Sequence, residues 1–151
     1  MTSEQALSRL QSLCSRSEKC IFDISQKLRD WNISPTDEKI IIAKLQEQKF
    51  IDEQRFACAF VRDKSRLSHW GIAKIKQALQ AKKIDKAIIS TALQEIDMEN
   101  YKKDLIALVA RKNISLKAKN PADRKAKLLR FALSRGYDYQ LSYEVVTKLT
   151  H

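Results

Sequence analysis

The sequence predicts an all-α protein, three tandem three-helix repeats forming an elongated helical array, and three observations lead there. Only two glycines and two prolines occur among 151 residues, too few for the turns of a β-sheet. Apolar residues recur at helical spacing through most of the chain, and an apolar content of 44% is enough for a core. A longer pattern then repeats: an apolar helix end, a turn, an Asp and paired apolar positions. Leu28, Trp31, Ile33, Asp37, Ile40, Ile41 and Leu45 form one copy, and Leu79, Ile84, Asp85, Ile88, Ile89, Ala92 and Leu93 the next. Ala132, Tyr137, Asp138, Leu141, Val145 and Val146 form a looser third. The three aspartates lie 48 and 53 residues apart, which sets repeats at residues 1–51, 52–96 and 97–151. Units in such an array pack mainly on their neighbours and offer an extended surface, better suited to binding than to catalysis.

The first helix is expected over Ser3 to Leu13, with Ala6, Leu7 and Leu10 on one face. Ser17 and Glu18 before Ile21, Ile24 and Leu28 predict a second helix ending near Trp31. Asn32 suits the left-handed C-terminal position, with Ile33 folding back as the apolar contact. Lys83 before Ile84 and Gly136 before Tyr137 occupy equivalent places; glycine fits that geometry best, and Lys83 would be mildly strained. Ser34-Pro35-Thr36-Asp37 caps a third helix. The second repeat opens at Asp52, continues from Gly71 through Ile72, Ile75 and Leu79, and closes with Asp85 to Ile96. The third starts near Met98, where Tyr101, Leu105, Ala107, Leu108 and Val109 mark an apolar helix. Lys112 to Asn120 lacks periodicity and reads as a mobile basic loop before Pro121 opens the next helix. Leu128, Leu129, Ala132 and Leu133 form the buried side of that helix, and Leu141, Val145, Val146 and Leu149 that of the last.

The net charge of +11 is unevenly spread. Residues 54–90 carry nine basic and two acidic side chains, and residues 111–135 nine and one, whereas the other stretches are each slightly acidic. Two basic blocks in successive repeats can face one groove, as expected of a partner that is nucleic acid or coated with it. Cys14, Cys20 and Cys58 fit neither a CxxC pair nor a zinc spacing, and no signal peptide or long apolar run is present, so a reduced, cytoplasmic protein is expected. Cys58, among Phe56, Ala57, Ala59 and Phe60, is expected to be a buried small hydrophobe.

The densest local signal is Phe50-Ile51-Asp52-Glu53-Gln54-Arg55-Phe56-Ala57, followed by Phe60-Val61-Arg62-Asp63-Lys64 and then Gly71, Ile75, Leu79 and Ile84. Asp52 is placed to cap the helix, Phe56 and Phe60 point one way as core residues, and Arg55, Arg62 and Arg66 recur on another side. Asp52, Arg55, Phe56, Ala57, Phe60, Val61, Arg62, Gly71, Ile75, Leu79 and Ile84 together resemble the pattern of the RecX family, bacterial modulators of the RecA recombinase, in order and spacing. The resemblance is densest in the second repeat, and Lys83 stands where the family often has a glycine.

What the resemblance implies is a curved, three-repeat helical protein that lodges in the groove of RecA filaments on single-stranded DNA. It would slow strand exchange, ATP hydrolysis and self-cleavage of the SOS repressor, with RecA and single-stranded DNA as partners and duplex DNA as a further one. Neither a membrane nor a small-molecule substrate is expected. The candidate contacts to acidic protein surface and DNA phosphates are Arg55, Arg62, Lys64, Arg66, Lys74, Lys76, Lys82 and Lys83 in the second repeat. In the third they are Arg111, Lys112, Lys117, Lys119, Arg124, Lys125, Lys127, Arg130 and Arg135.

An enzyme is not expected. Catalysis needs a perturbed acid, base, nucleophile or metal in a pocket, yet the two histidines are His69, in a turn beside Trp70 and Gly71, and the terminal His151. Gly71 and Gly136 alone build no phosphate loop, so no cofactor is expected. Glu95, Asp97 and Glu99 read as solvated caps at a helix junction rather than metal ligands. For Trp70, burial between helices is favoured over stacking on a base, and Trp31 ends an apolar helical face. Two other binding modes remain open. A helix-turn-helix reader of duplex DNA would have to use Lys74, Lys76 and Gln77, which suit phosphates better than bases. A helical adaptor for an acidic protein would bind its partner without regard to DNA.

Overall fold

The computed structural model describes residues 1–150; His151 lies outside the described residues. Among them are nine helices and no strand: α1 (Ser3–Arg16), α2 (Ile21–Asp30), α3 (Pro35–Glu47), α4 (Glu53–Arg66), α5 (Ile72–Ala81), α6 (Lys86–Leu93), α7 (Met98–Ser115), α8 (Pro121–Ser134) and α9 (Tyr139–Leu149). The chain is therefore all-α, in tandem three-helix domains.

Short polar side chains start these helices by satisfying amides that no intrahelical carbonyl reaches. Thr2 and Gln5 form a reciprocal capping box on α1. Ser34 accepts from the Asp37 amide with Pro35 in the first turn, and Asn120 accepts from the Asp123 amide ahead of Pro121. Asp52, Asp97 and Asp138 accept from the amides of Arg55, Glu99 and Leu141.

Four helices end through a left-handed residue followed by an apolar one. Asn32, Lys49, Lys83 and Gly136 have φ of 59°, 63°, 58° and 94°. The next amide then reaches back five residues: Ile33 to the Leu28 carbonyl (3.0 Å), Phe50 to Leu45 (2.9 Å), Ile84 to Leu79 (3.2 Å) and Tyr137 to Ala132 (3.3 Å). Asn32, Lys83 and Gly136 adopt the expected geometry, whereas Lys49 does so without having been expected to.

The chain packs into two compact units. The first comprises Met1–Ala59 with Leu79–Ser90, around a core of Ala6, Leu10, Cys14, Ile24, Leu28, Ile41, Leu45 and Ile51. The second comprises Phe60–Ala78 and the chain from Thr91 onward, around Tyr101, Leu105, Leu108, Val109, Leu128, Ala132, Tyr137, Val145 and Val146. Apart from Ile51 and Tyr137, which lie in the links after α3 and α8, most core side chains recur at three- or four-residue steps along their helices, the spacing that puts them on one face.

Several sequence expectations are corrected. The first helix does not stop at Leu13 and the second does not begin at Ser17: burial of Cys14 extends the Ala6–Leu10 stripe by another turn, and Ser17 becomes the C-cap of α1. Lys112 to Ser115 belongs to α7 rather than to a loop, because the Arg124 guanidinium donates to the Asn113 and Leu116 carbonyls at 2.9 and 3.2 Å. Ile40 and Leu133 are exposed, and Phe60 and Cys58 only half-buried, Cys58 Sγ accepting from Gln54 Nε2 at 3.4 Å. Cys14 and Cys20 are the buried thiols, and burial pushes Cys20 up to about 12.

The link from Leu116 to Asn120 is short and tethered, with the Lys119 amide donating to Asp123 at 3.0 Å and Lys127 Nζ to the Lys117 carbonyl at 3.1 Å. Limited trypsin digestion should accordingly cut after the exposed Lys117 or Lys119 before it cuts after Lys112, whose peptide bond lies in a helix. First cleavage at Lys112, read by mass spectrometry, would show that the end of α7 frays.

Candidate nucleic-acid interface

In the second unit α4 ends in a turn that brings an aromatic ring back among cations. The Leu67 and Ser68 amides bond the Asp63 carbonyl, His69 takes φ of 53°, and the Trp70 amide then reaches the Lys64 carbonyl at 2.9 Å. Histidine is among the side chains that enter the left-handed region more readily than most, which lets this turn form without glycine. The result places Lys64 Nζ and Lys74 Nζ 4.6 and 4.5 Å from the centre of the half-buried Trp70 ring, with Phe60 edge-on at 6.4 Å. A cation held on an aromatic face keeps its charge while its stem is ordered.

Gly71, directly after Trp70, is clamped. Its amide donates to the Arg135 carbonyl at 2.6 Å, the Ala73 amide to the Gly136 carbonyl at 3.0 Å, and the Ile72 amide to Tyr101 Oη at 2.9 Å. The first amides of α5 are thus satisfied by α7 and the turn after α8. Tyr137 Oη donates to the His69 carbonyl at 3.4 Å, and its ring lies 4.8 Å from that of Tyr101. Burial pushes the Tyr101 phenol up to about 12 and raises that of Tyr137, so both stay protonated and can serve as anchors.

The acids at the next junction have structural partners. Glu95 lies 3.6 Å from Arg62, and Asp97 caps α7. Arg62 and Arg66 share with Asp97, Asn100 and Asp104 the wall of a cleft of about 190 Å³.

The candidate cations therefore fall into three groups. Some are engaged in holding the fold. Arg55 pairs with Glu18 at 2.6 Å and donates to the Lys49 and Phe50 carbonyls, and that pairing raises its pKa further. Lys82 pairs with Asp23 at 2.8 Å. Arg124 bonds both the backbone and side-chain oxygens of Asn113, Lys127 pairs with Asp123, and Arg135 donates to the Ser68 carbonyl at 2.8 Å. A second group sits on rings: Lys64 and Lys74 on Trp70, Lys112 on Phe131 at 5.3 Å, and Lys125 on Tyr143 at 4.5 Å. The third group is exposed: Arg62, Arg66, Lys76, Arg111, Lys117, Lys119 and Arg130 in the second unit and Lys83 in the first.

Charge counting missed one feature of this surface. Tyr139 and Tyr143 on α9 are exposed and stacked, their centroids 5.9 Å apart and their planes 20° from parallel. The four-residue spacing of two aromatics was the available signal.

Fold and surface together define a protein of tandem three-helix domains that presents cations, several of them seated on aromatic rings. Two family models match it: the second three-helix domain of RecX over residues 52–93 and the third over residues 103–146. Regulatory protein RecX of Clostridium botulinum strain Eklund 17B is 37% identical over 76% of this chain and 56% of that protein. The Clostridium beijerinckii protein of the same name is 30% identical over 99% of this chain and 68% of its own length. The chain thus spans just over half the length of some of the curated relatives it matches. A crystal structure of regulatory protein RecX superposes with a TM-score of 0.87 over 97% of this chain and 73% of its own, at 23% identity. That of RecX from Lactobacillus salivarius superposes with a TM-score of 0.81 over 97% and 96%, at 21% identity. The chain belongs to the RecX family. None of its helices is long and apolar enough to cross a membrane, among the described residues.

Proposed function

We propose that this chain is a non-catalytic, cytoplasmic regulator of the RecA recombinase that binds RecA filaments on single-stranded DNA and inhibits them. Family membership supports RecA as the partner. The observation that carries the mode of binding is the set of exposed and ring-seated cations on α4, α5, α7 and α8. Such side chains meet phosphates or acidic protein surface without first breaking buried pairs. The deciding experiment is RecA ATPase on single-stranded DNA with and without substoichiometric protein. Inhibition is expected, and an unchanged rate would reject the reading.

Replacing Arg62, Arg66 and Lys74 by Glu should separate binding from folding. Arg62 and Arg66 are exposed, where substitutions usually change stability by only about ±0.5 kcal/mol each, and taking the half-buried Lys74 off the Trp70 ring adds about 0.5–1 kcal/mol, so helicity by circular dichroism should be nearly intact. Filament inhibition should fall sharply. If the side chains contact phosphates, the logarithm of the single-stranded DNA binding constant should lose roughly 0.7 of salt slope per contact removed. If they contact RecA, naked-DNA binding would change little. A folded triple variant that inhibits like the parent would exclude this face and leave the α7–α8 cations.

A further inference from the structure

We propose that Tyr139 and Tyr143 form a stacking platform for the bases of single-stranded nucleic acid, with Lys125 beside it to meet the phosphate backbone. Three observations converge. Tyr139 and Tyr143 are 59% and 44% exposed although both lie on a helix whose other face is core, so aromatic surface is left to water. They are already stacked on each other, which orders both before any ligand arrives. Lys125 Nζ lies over the Tyr143 ring, 4.5 Å from its centre and 3.5 Å from its hydroxyl, so a cation is seated against Tyr143 while Tyr139, the more exposed of the two, is left to meet a base.

Charge selects the occupant. Lys125 belongs to the stretch 111–135, with nine basic side chains and one acidic. The acids closest in sequence to the rings are occupied: Asp138 caps α9, and Glu144 pairs with Lys102 at 2.9 Å and Lys148 at 3.4 Å. Those pairings hold Glu144 below its ordinary range, so it stays ionised but neutralised. Bases present π-faces and their backbone presents phosphates, so single-stranded nucleic acid satisfies rings and cation together. A duplex keeps its bases stacked inside and offers only the phosphates.

The inference rests on the nucleic-acid part of the proposed function, and its test is separable from that reading. Full-length protein is titrated against labelled oligo-dT and against an abasic oligomer of equal length and charge. The parent should bind oligo-dT more tightly. Y139A/Y143A should weaken oligo-dT binding about fivefold or more and leave the abasic oligomer unchanged, whereas Y139F/Y143F should stay within about twofold of the parent. K125A should lower the salt slope by roughly 0.7 for both oligomers. Photo-crosslinking of a 5-bromodeoxyuridine oligomer to the unaltered chain is independent of any folding defect and should label Tyr139 or Tyr143. Equal binding of the two oligomers by the parent, or crosslinks confined to other residues, would overturn the platform. So would a double-alanine variant that binds oligo-dT like the parent but no longer inhibits RecA ATPase, because the rings would then be a protein-docking face. RecA ATPase read in parallel keeps the two ideas apart: parent protein that inhibits but does not stack bases refutes only the platform.

Discussion

Replacing Gly71 by alanine is expected to cost at least about 3 kcal/mol, beyond the usual range for overpacking, because the obstruction is backbone rather than a movable side chain. A Cβ on Gly71 would overlap the carbonyl group of Gly136 and the amide nitrogen of Tyr137. Relief requires α5 to move off the turn after α8, which breaks the Gly71–Arg135 and Ala73–Gly136 backbone hydrogen bonds. Each buried group left without a partner adds roughly 1–3 kcal/mol. A domain's whole stability is about 5–15 kcal/mol, so the variant should be marginal at room temperature. Gly136→Ala should behave alike: its Cβ would meet Lys74 Cβ, and its φ of 94° is unsuited to side chains. Denaturant titration followed by tryptophan fluorescence in a Trp31→Phe background, where Trp70 is the single reporter, checks both. A Gly71→Ala midpoint equal to that of the parent would mean that this close approach is not maintained in solution.

The second large effect is expected at Phe56, 7% exposed in the first turn of α4, whose truncation to alanine should cost about 3–5 kcal/mol. Phe60 supplies the internal control. One turn on, it is half-buried, edge-on to Trp70 and beneath Lys64 at 5.5 Å. Its truncation should cost roughly 1–2 kcal/mol, from partial burial and one aromatic pair, and should alter Trp70 emission. Equal losses at both positions would contradict the difference in burial.

The contrast between these phenylalanines shows where sequence reading stops. Their spacing and the cap at Asp52 are local, so the helix and its apolar side are legible from a dozen residues. How deeply each ring is buried depends on neighbours that periodicity does not name. The same division runs through the cations. Charge blocks were visible in the sequence, but Arg124 and Arg135 are spent on the Asn113, Leu116 and Ser68 carbonyls, acceptors that charge counting cannot see.

By itself the sequence determined the helical class, most of the buried stripes, the caps at Ser34, Asp52 and Asp97 and the left-handed ends at Asn32, Lys83 and Gly136, because these depend on contacts within about one turn of helix. Tertiary structure decided what depends on distant partners. The start of α2 is set by Glu53, which accepts from the Ile21 amide at 2.6 Å across 32 residues, so Ser17 never becomes its cap. Gly71 meets Gly136 because two chain segments far apart in sequence must touch with no side chain between them. Tyr139 and Tyr143 remain outside the core because Ser142, Val145 and Val146 face inward on α9. An apolar or aromatic residue is free to be core or surface until the helices around it are placed, and only the packed chain makes that choice.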